Sequence, residues 1–258
     1  MDNKASEPKL CPILHVQDFL VPAPSKSANI HVIDNFNLAR GLFGMPLDDD
    51  EFFFVQILIR PKDGHKVSGD NKNRMIRFYC VKTAERLEEL RPEIEMLCTL
   101  HNARAYIHPT PRSEKMVAAT MLEDAVHEFT VGNYHMFRRL YATACGKSFV
   151  TGKKKFVVDL DRAPSEDGYL WEARQNVTRR IIRSCRGKSI FPENPTGENT
   201  EKIYMVLPTK SGVHLITTPF DVGQMEQRLR DAGWVIPEVH KNNPTLLYYR
   251  WDDNQKGD

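Results

Sequence analysis

Two carboxylates one residue apart, Asp159 and Asp161 in the run FVVDLD, carry the strongest chemical signal in the chain. Side chains alternate along a strand, so both carboxylates point to one face while Val158 and Leu160 point to the other. Such a rigid pair suits a hard divalent cation, Mg2+ or Mn2+, which prefers oxygen ligands and bridges to substrate phosphates. Further on, TKSGVHLI sets His214 between Val213 and Leu215, which places the imidazole on the polar face of its own strand. A histidine and a hydroxyl beside a metal can grip a triphosphate. The competing structural readings are a cap or turn role for the Asp-x-Asp pair and a simple turn at Ser211 and Gly212.

These residues can meet only if particular elements place them together. KKFVVDLD reads as a strand, GYLWEARQNVTRRIIRSC as a helix with Leu170, Ala173, Val177 and Ile181 on its buried stripe, and KIYMVLP and VHLITTP as strands joined by a TKSG hairpin. DVGQMEQRLRDAG follows as a helix and TLLYYRW as a final strand. The order β-α-β-β-α-β is the split-βαβ, RNA-recognition-like unit, whose first and third strands are central neighbours. That neighbourhood would bring His214 beside Asp159 and Asp161 on the sheet face opposite the helices. The preceding half reads β-β-α-β-α-α: FFFVQILIR and RMIRFYCVK joined by the loop KDGHKVSGDNKN, a helix over TAERLEELRPEIEMLCTLHN broken or kinked at Pro92, the strand ARAYIHP, and two helices. The expected fold class is therefore α+β. A loosely structured arm, with room for one strand or short helix, covers residues 1–50, an αβ subdomain 51–150 and an RNA-recognition-like catalytic subdomain 151–258, the last two forming one composite domain.

The pattern hhhDhD followed by a Ser-x-x-His hairpin, here FVVDLD and TKSGVHLI, resembles the catalytic core of the archaeo-eukaryotic primase superfamily, the primase-polymerases, and in particular its phage and mobile-element members. The resemblance spans about Lys153 to Trp251. It implies a primase-polymerase core in which Asp159 and Asp161 ligate metal, Ser211 and His214 contact the phosphates of an incoming nucleotide, and Lys210 assists. It also implies nucleotidyl transfer onto a nucleic-acid strand, with nucleoside triphosphates, single-stranded DNA or a primer-template, and a replication helicase as partners. A third acid is where the sequence departs from the family. Asp221 precedes a helix with Gln224 three residues later, a capping pattern, and Asp252, with Asp253 beside it, stands at the end of the last strand.

Outside this unit, Arg104 lies within a strand, where its planar fork would suit phosphate or template, or would pair with an acid such as Glu95. Arg112 follows in a loop, and Tyr106 shares Arg104's parity, as a stacking surface or a half-buried strand tyrosine. Over 258 residues, 36 Lys and Arg against 34 Asp and Glu leave a net charge of +2. From Arg138 to Lys188, however, thirteen bases face five acids, a +8 block set against a −6 remainder. Such a block suits a phosphate-rich partner or is a solvated helix face. The odd set Cys11, Cys80, Cys98, Cys145 and Cys185 lacks zinc or disulfide spacing. No apolar run suggests a membrane span or secretory signal, so a cytoplasmic location is expected. Two alternatives accompany nucleotidyl transfer: a non-catalytic nucleic-acid binder of the same fold, and another magnesium-dependent phosphate-handling enzyme. A haloacid-dehalogenase-like phosphatase fits the latter poorly, because Ala163 stands where that family carries Thr or Val and the hairpin implies antiparallel strands.

Overall fold

The computed structural model describes residues 29–63, 74–187, 190 and 201–252. Residues 1–28 of the expected arm, most of both long polar loops, Lys188 and Asp253 lie outside them. The chain is mixed α+β, with six α-helices among the described residues and two antiparallel sheets.

The first sheet contains β1 (Ile30–Asp34), β2 (Glu51–Ile59), β3 (Arg74–Val81), β4 (Arg104–Ile107) and β10 (Thr245–Asp252), in the order β1-β10-β4-β2-β3, with β5 (Arg112–Ser113) paired to the start of β2. Its outer face is the apolar set Phe53, Val55 and Ile57, packed under α1 (Phe36–Ala39) and α2 (Ala84–His101). The second helix is continuous through Pro92. The lost backbone bond is offset by the buried stripe Leu87, Leu90, Ile94 and Cys98, and Arg91 bridges Glu88 and Glu95 on either side of the proline. On the inner face, Phe52 and Phe54 pack under α3 (Glu114–Thr130) and α4 (Leu140–Lys147), which leaves the other end of that face uncovered by helix.

The second sheet runs β7-β8-β6-β9, formed by β6 (Phe156–Asp161), β7 (Ile203–Pro208), β8 (Gly212–Thr217) and β9 (Glu238–His240). Val158, Leu160 and Leu215 are buried beneath α5 (Gly168–Ser184) and α6 (Val222–Asp231), as the alternation requires. The unit is closed by β9, however, and not by TLLYYRW. A three-residue strand is too short to show a period, whereas β10 is apolar on both sides because it lies inside the first sheet.

The buried stripe of α5 matches the expected one only in part, since Val177 and Ile181 pack half-buried against the core. Arg174, Thr178 and Ile182 point inward, and Leu170 is 47% exposed. An arginine can occupy the core here because Glu166 and the Asp161 carbonyl satisfy its guanidinium. Asn35, fully buried, joins the sheets: its Nδ2 donates to the carbonyls of Pro208 and Leu246, each at 2.9 Å. Among the described residues no helix is long and apolar enough to cross a membrane.

Candidate active site

Antiparallel pairing of β6 with β8 sets Asp159 opposite His214 and Asp161 opposite Gly212. On the other flank, β9 sets Glu238 opposite Asp159 and His240 opposite Val157. A row His214, Asp159, Glu238 therefore crosses three strands, with Asp161 one step along the central one. These side chains face the uncovered inner end of the first sheet across a cleft of about 710 Å³. The opposite wall is Gln56, Leu58, Arg60 and Tyr106. The expected convergence of Asp159, Asp161 and His214 on one sheet face is thus what the fold produces.

Each group is held from behind. The Ser211 hydroxyl donates to Asp161 Oδ1, so the hairpin residue reaches the carboxylate directly. That reach depends on Gly212, where a Cβ would stand 1.9 Å from the Leu160 carbonyl oxygen; the reason is space, since its φ is not positive. His214 Nε2 lies 3.4 Å from Asp159 Oδ1, and its Nδ1 lies 2.9 Å from the hydroxyl of buried Thr245 on β10. With a carboxylate at Nε2, the ring proton belongs there and Nδ1 accepts from Thr245. Arg174 Nη2 donates to the Asp161 carbonyl and stacks its guanidinium on Trp171, which fixes the end of β6. Glu166, its ion-pair partner, is held below the usual carboxylate range chiefly by that hydrogen bond.

Two carboxylates on one open face, with a third across the strand, are hard oxygen donors of the kind magnesium takes. Among the described residues, though, no three His, Cys, Asp or Glu side chains close into a metal cage. A magnesium ion bound by one or two carboxylates, waters and substrate phosphates needs no closed cage. The donor set therefore fits such an ion bound jointly with substrate.

The other expected residues are placed elsewhere. Arg104 donates to both carboxylate oxygens of Asp63, with Nε to Oδ2 at 2.8 Å, and lies over the Tyr249 ring at 4.3 Å. Burial opposes its charge, but the hydrogen bond to Asp63 together with the electrostatic effect of Tyr106, Asp63 and Tyr249 leaves its pKa raised. Glu95, the partner expected from sequence, is bound by Arg91 instead. Lys210 sits over Tyr249 and Trp251, 5.7 and 5.2 Å from the ring centroids. Asp221 is the N-cap of α6, accepting from Gln224 N and from Arg186. Asp252 belongs to β10 beside β1, in the other sheet and outside the cleft lining.

Arg112 is wholly buried and structural: Nη2 donates to His108 Nδ1 at 2.7 Å and to Asn242 Oδ1 at 2.9 Å, while Asn242 Nδ2 donates to the Gly146 carbonyl. Asn242 thereby clips the segment before β10 onto α4. The basic block is likewise dispersed, since Lys147, Lys153, Arg174, Arg183 and Arg186 all engage acids. Glu238, His240, Arg60, Arg174 and Thr245 complete the surroundings of the site and were not singled out for it from sequence.

No protein-family model, no curated protein and no solved structure matches the chain.

Proposed function

We propose that the protein is a metal-dependent nucleotidyltransferase of primase-polymerase type, adding nucleotides to a nucleic-acid strand. The observation that carries this reading is the placement of Asp159 and Asp161 on one sheet face, flanked by His214 and Ser211 and facing a second wall across a cleft wide enough for a nucleotide. Asp159 and Asp161 would hold magnesium or manganese, which would supply charge neutralisation on the transferred phosphate, and Glu238, opposite Asp159 on β9, is a further carboxylate lining the cleft. The residues of the chain supply positioning. Ser211 orients the Asp161 carboxylate, and His214, fixed by Thr245, offers an N–H toward the cleft beside Asp159. Arg60 stands on the opposite wall, tethered by a 3.0 Å bond to the Tyr106 hydroxyl, where its guanidinium can take a phosphate. In the reaction a strand 3′-hydroxyl attacks the α-phosphate of a nucleoside triphosphate, the bond to the β-phosphate breaks, and pyrophosphate leaves.

The test is incorporation of labelled deoxy- and ribonucleotides on single-stranded and primed DNA with each metal. Asp159→Asn and Asp161→Asn should each cost about 10³-fold, because a metal ligand stabilises the transition state by several kcal/mol, while melting stays near the wild-type value. Absence of incorporation by the wild-type protein under every combination refutes the assignment. The non-catalytic strand binder has one observation in its favour, since Ser211 and His214 already engage the two carboxylates. It predicts strand binding with no incorporation.

A further inference from the structure

The cysteines show no pairing in their sequence spacing, yet the fold brings two of them together. In the pairing of β2 with β3, Cys80 stands opposite Phe54, so both point to the inner face of the first sheet. There Phe54 packs against Ala144 and Cys145 of α4. Contacts along the two elements agree with this register. Phe78 is stacked on Tyr141 with ring centroids 5.3 Å apart. Two residues along a strand advance about 6.6 Å and four along a helix about 6 Å, which carries that contact forward to Cys80 and Cys145. The Tyr141 hydroxyl lies 3.2 Å from Cys80 Sγ, and the two thiols share a hydrogen bond.

The members of the pair have opposite surroundings. Cys80 is exposed on β3, the last strand of its sheet, whereas Cys145 is fully buried behind it. The hydrogen bond from Cys145 draws the Cys80 thiol down to about 7 against burial, and Tyr141 adds to the effect. The same bond, with burial, pushes Cys145 up, so Cys145 remains the protonated donor. Cys98 and Cys185 are buried, and burial raises both. Among the described residues, Cys80 is therefore the thiol that an oxidant in solution meets as a thiolate. A second thiol directly behind it gives the first oxidation product a partner inside the same chain.

We propose that Cys80 and Cys145 form a peroxide-reactive pair that closes into a reversible disulfide, with Cys80 the attacking sulfur and Cys145 the resolving one. The co-reactant is a hydroperoxide. The Cys80 thiolate, its proton already lost to water, attacks the terminal peroxide oxygen; the O–O bond breaks, Cys80 becomes a sulfenic acid, and the departing oxygen anion takes a proton from water. Cys145 sulfur then attacks the Cys80 sulfur, the S–O bond breaks, and hydroxide leaves with the Cys145 proton as water. Two thiols and one hydroperoxide thus give one disulfide, one alcohol or water, and one water. Both sulfurs are oxidised and both peroxide oxygens reduced. The new bond ties α4 to the edge of the first sheet. Neither cysteine belongs to the cleft lining, and the proposal does not rest on the nucleotidyltransferase reading.

The experiment treats the reduced full chain at pH 7 with hydrogen peroxide in slight molar excess, alkylates it with N-ethylmaleimide in denaturant, and maps the products by non-reducing peptide mass spectrometry. The expected product is a Cys80–Cys145 linked peptide pair, two hydrogens lighter than the separate peptides and returned to two thiols by dithiothreitol. Cys98 and Cys185 should be recovered as alkylated thiols. In Cys80→Ser, oxidation of Cys145 should fall by about tenfold or more, because a buried, protonated thiol is inert. In Cys145→Ala, Cys80 should still react, be trapped as sulfenic acid by dimedone, and pass on to sulfinic acid when no trap is present.

Four results overturn the proposal: a wild-type Cys80 that does not react, one that goes to sulfinic acid without the link, one that joins another cysteine or a second chain, and wild-type oxidation of Cys145 in Cys80→Ser. Because Cys80 is exposed, Cys80→Ser leaves the core intact and tests the order of attack even if Cys145→Ala unfolds; melting followed by circular dichroism checks both variants.

Discussion

Substituting Gly212 by alanine should damage both the fold and the candidate site. The added Cβ would meet the Leu160 carbonyl oxygen at 1.9 Å, its carbon at 2.9 Å and Asp161 Cα at 3.0 Å. A methyl group and a carbonyl oxygen need a little over 3 Å, so β8 must retreat from β6 by more than about 1 Å at this point. All three atoms are backbone and cannot swing aside. Overpacking of this kind costs about 1 to 3 kcal/mol. Two backbone bonds sit at the same place, Arg162 N to Ser211 O at 2.8 Å and Thr209 N to Gly212 O at 2.9 Å, and losing them adds about 1 kcal/mol each. The expected loss of about 3 to 5 kcal/mol corresponds to roughly 6 to 20 °C in melting temperature for a chain of this size. At temperatures where the variant remains folded, Ser211 would have moved away from Asp161, and on the proposed nucleotidyl-transfer reading a 1 Å misplacement should lower incorporation by about 10²-fold. Thermal melting followed by circular dichroism, with incorporation assayed well below the transition, measures both effects. Gly223→Ala is the control: its nearest atom is Asp221 Oδ1 at 3.6 Å, and alanine within α6 should be neutral or stabilising by up to about 1 kcal/mol. A Gly212→Ala protein that melts within about 1 °C of wild type and retains its activity would refute the close-approach argument.

Two further predictions concern groups away from the carboxylates. Burial, with Arg112 adding to it, holds the pKa of His108 well below the ordinary histidine value, so the folded state keeps the ring neutral while the unfolded chain takes up a proton near pH 6.5. Stability should therefore fall as pH drops below about 6.5, and His108→Gln should remove up to about 1.4 kcal/mol per pH unit of that dependence; parallel urea titrations of the two proteins from pH 7 to 5 that show equal slopes would contradict it. The exposed thiol of Cys80 is drawn down to about 7 by a hydrogen bond from Cys145, against the opposing effect of burial, with the Tyr141 hydroxyl contributing a second bond at 3.2 Å. Its alkylation by iodoacetamide should rise with a midpoint near pH 7 and shift upward in Tyr141→Phe; peptide mass spectrometry that finds an ordinary thiol midpoint in both would refute the assignment.

Three strands of the second sheet, β6, β7 and β8, were legible because each had an apolar face to declare. Alternation in Phe156 to Asp161 and in Gly212 to Thr217 placed Asp159, Asp161 and His214 on a common face before any coordinates. Three kinds of feature were hidden. A strand as short as Glu238–His240 has no period, so Glu238 passed unnoticed. Buried charge escapes any hydrophobic pattern: Arg174 was counted only within the basic block and Arg112 only placed in a loop, and their distant partners, among them Glu166 and Asn242, make burial tolerable. The open inner end of the first sheet depends on where α3 and α4 stop, which is a property of packing and not of any one segment.

The placement of Thr245–Asp252 between residues 30–34 and 104–107 has a consequence for how the protein is made. Ile30 pairs with Asp252, so β1 has no sheet neighbour until the ribosome has synthesised more than two hundred further residues. Before that point β4 exposes an unpaired edge, and Thr245 is not yet available to fix His214. Contacts this distant in sequence slow folding and lengthen the time during which sheet edges can aggregate. Assembly of the nascent chain should therefore be late and cooperative, with the histidine of the candidate site set by the same strand that completes the first sheet.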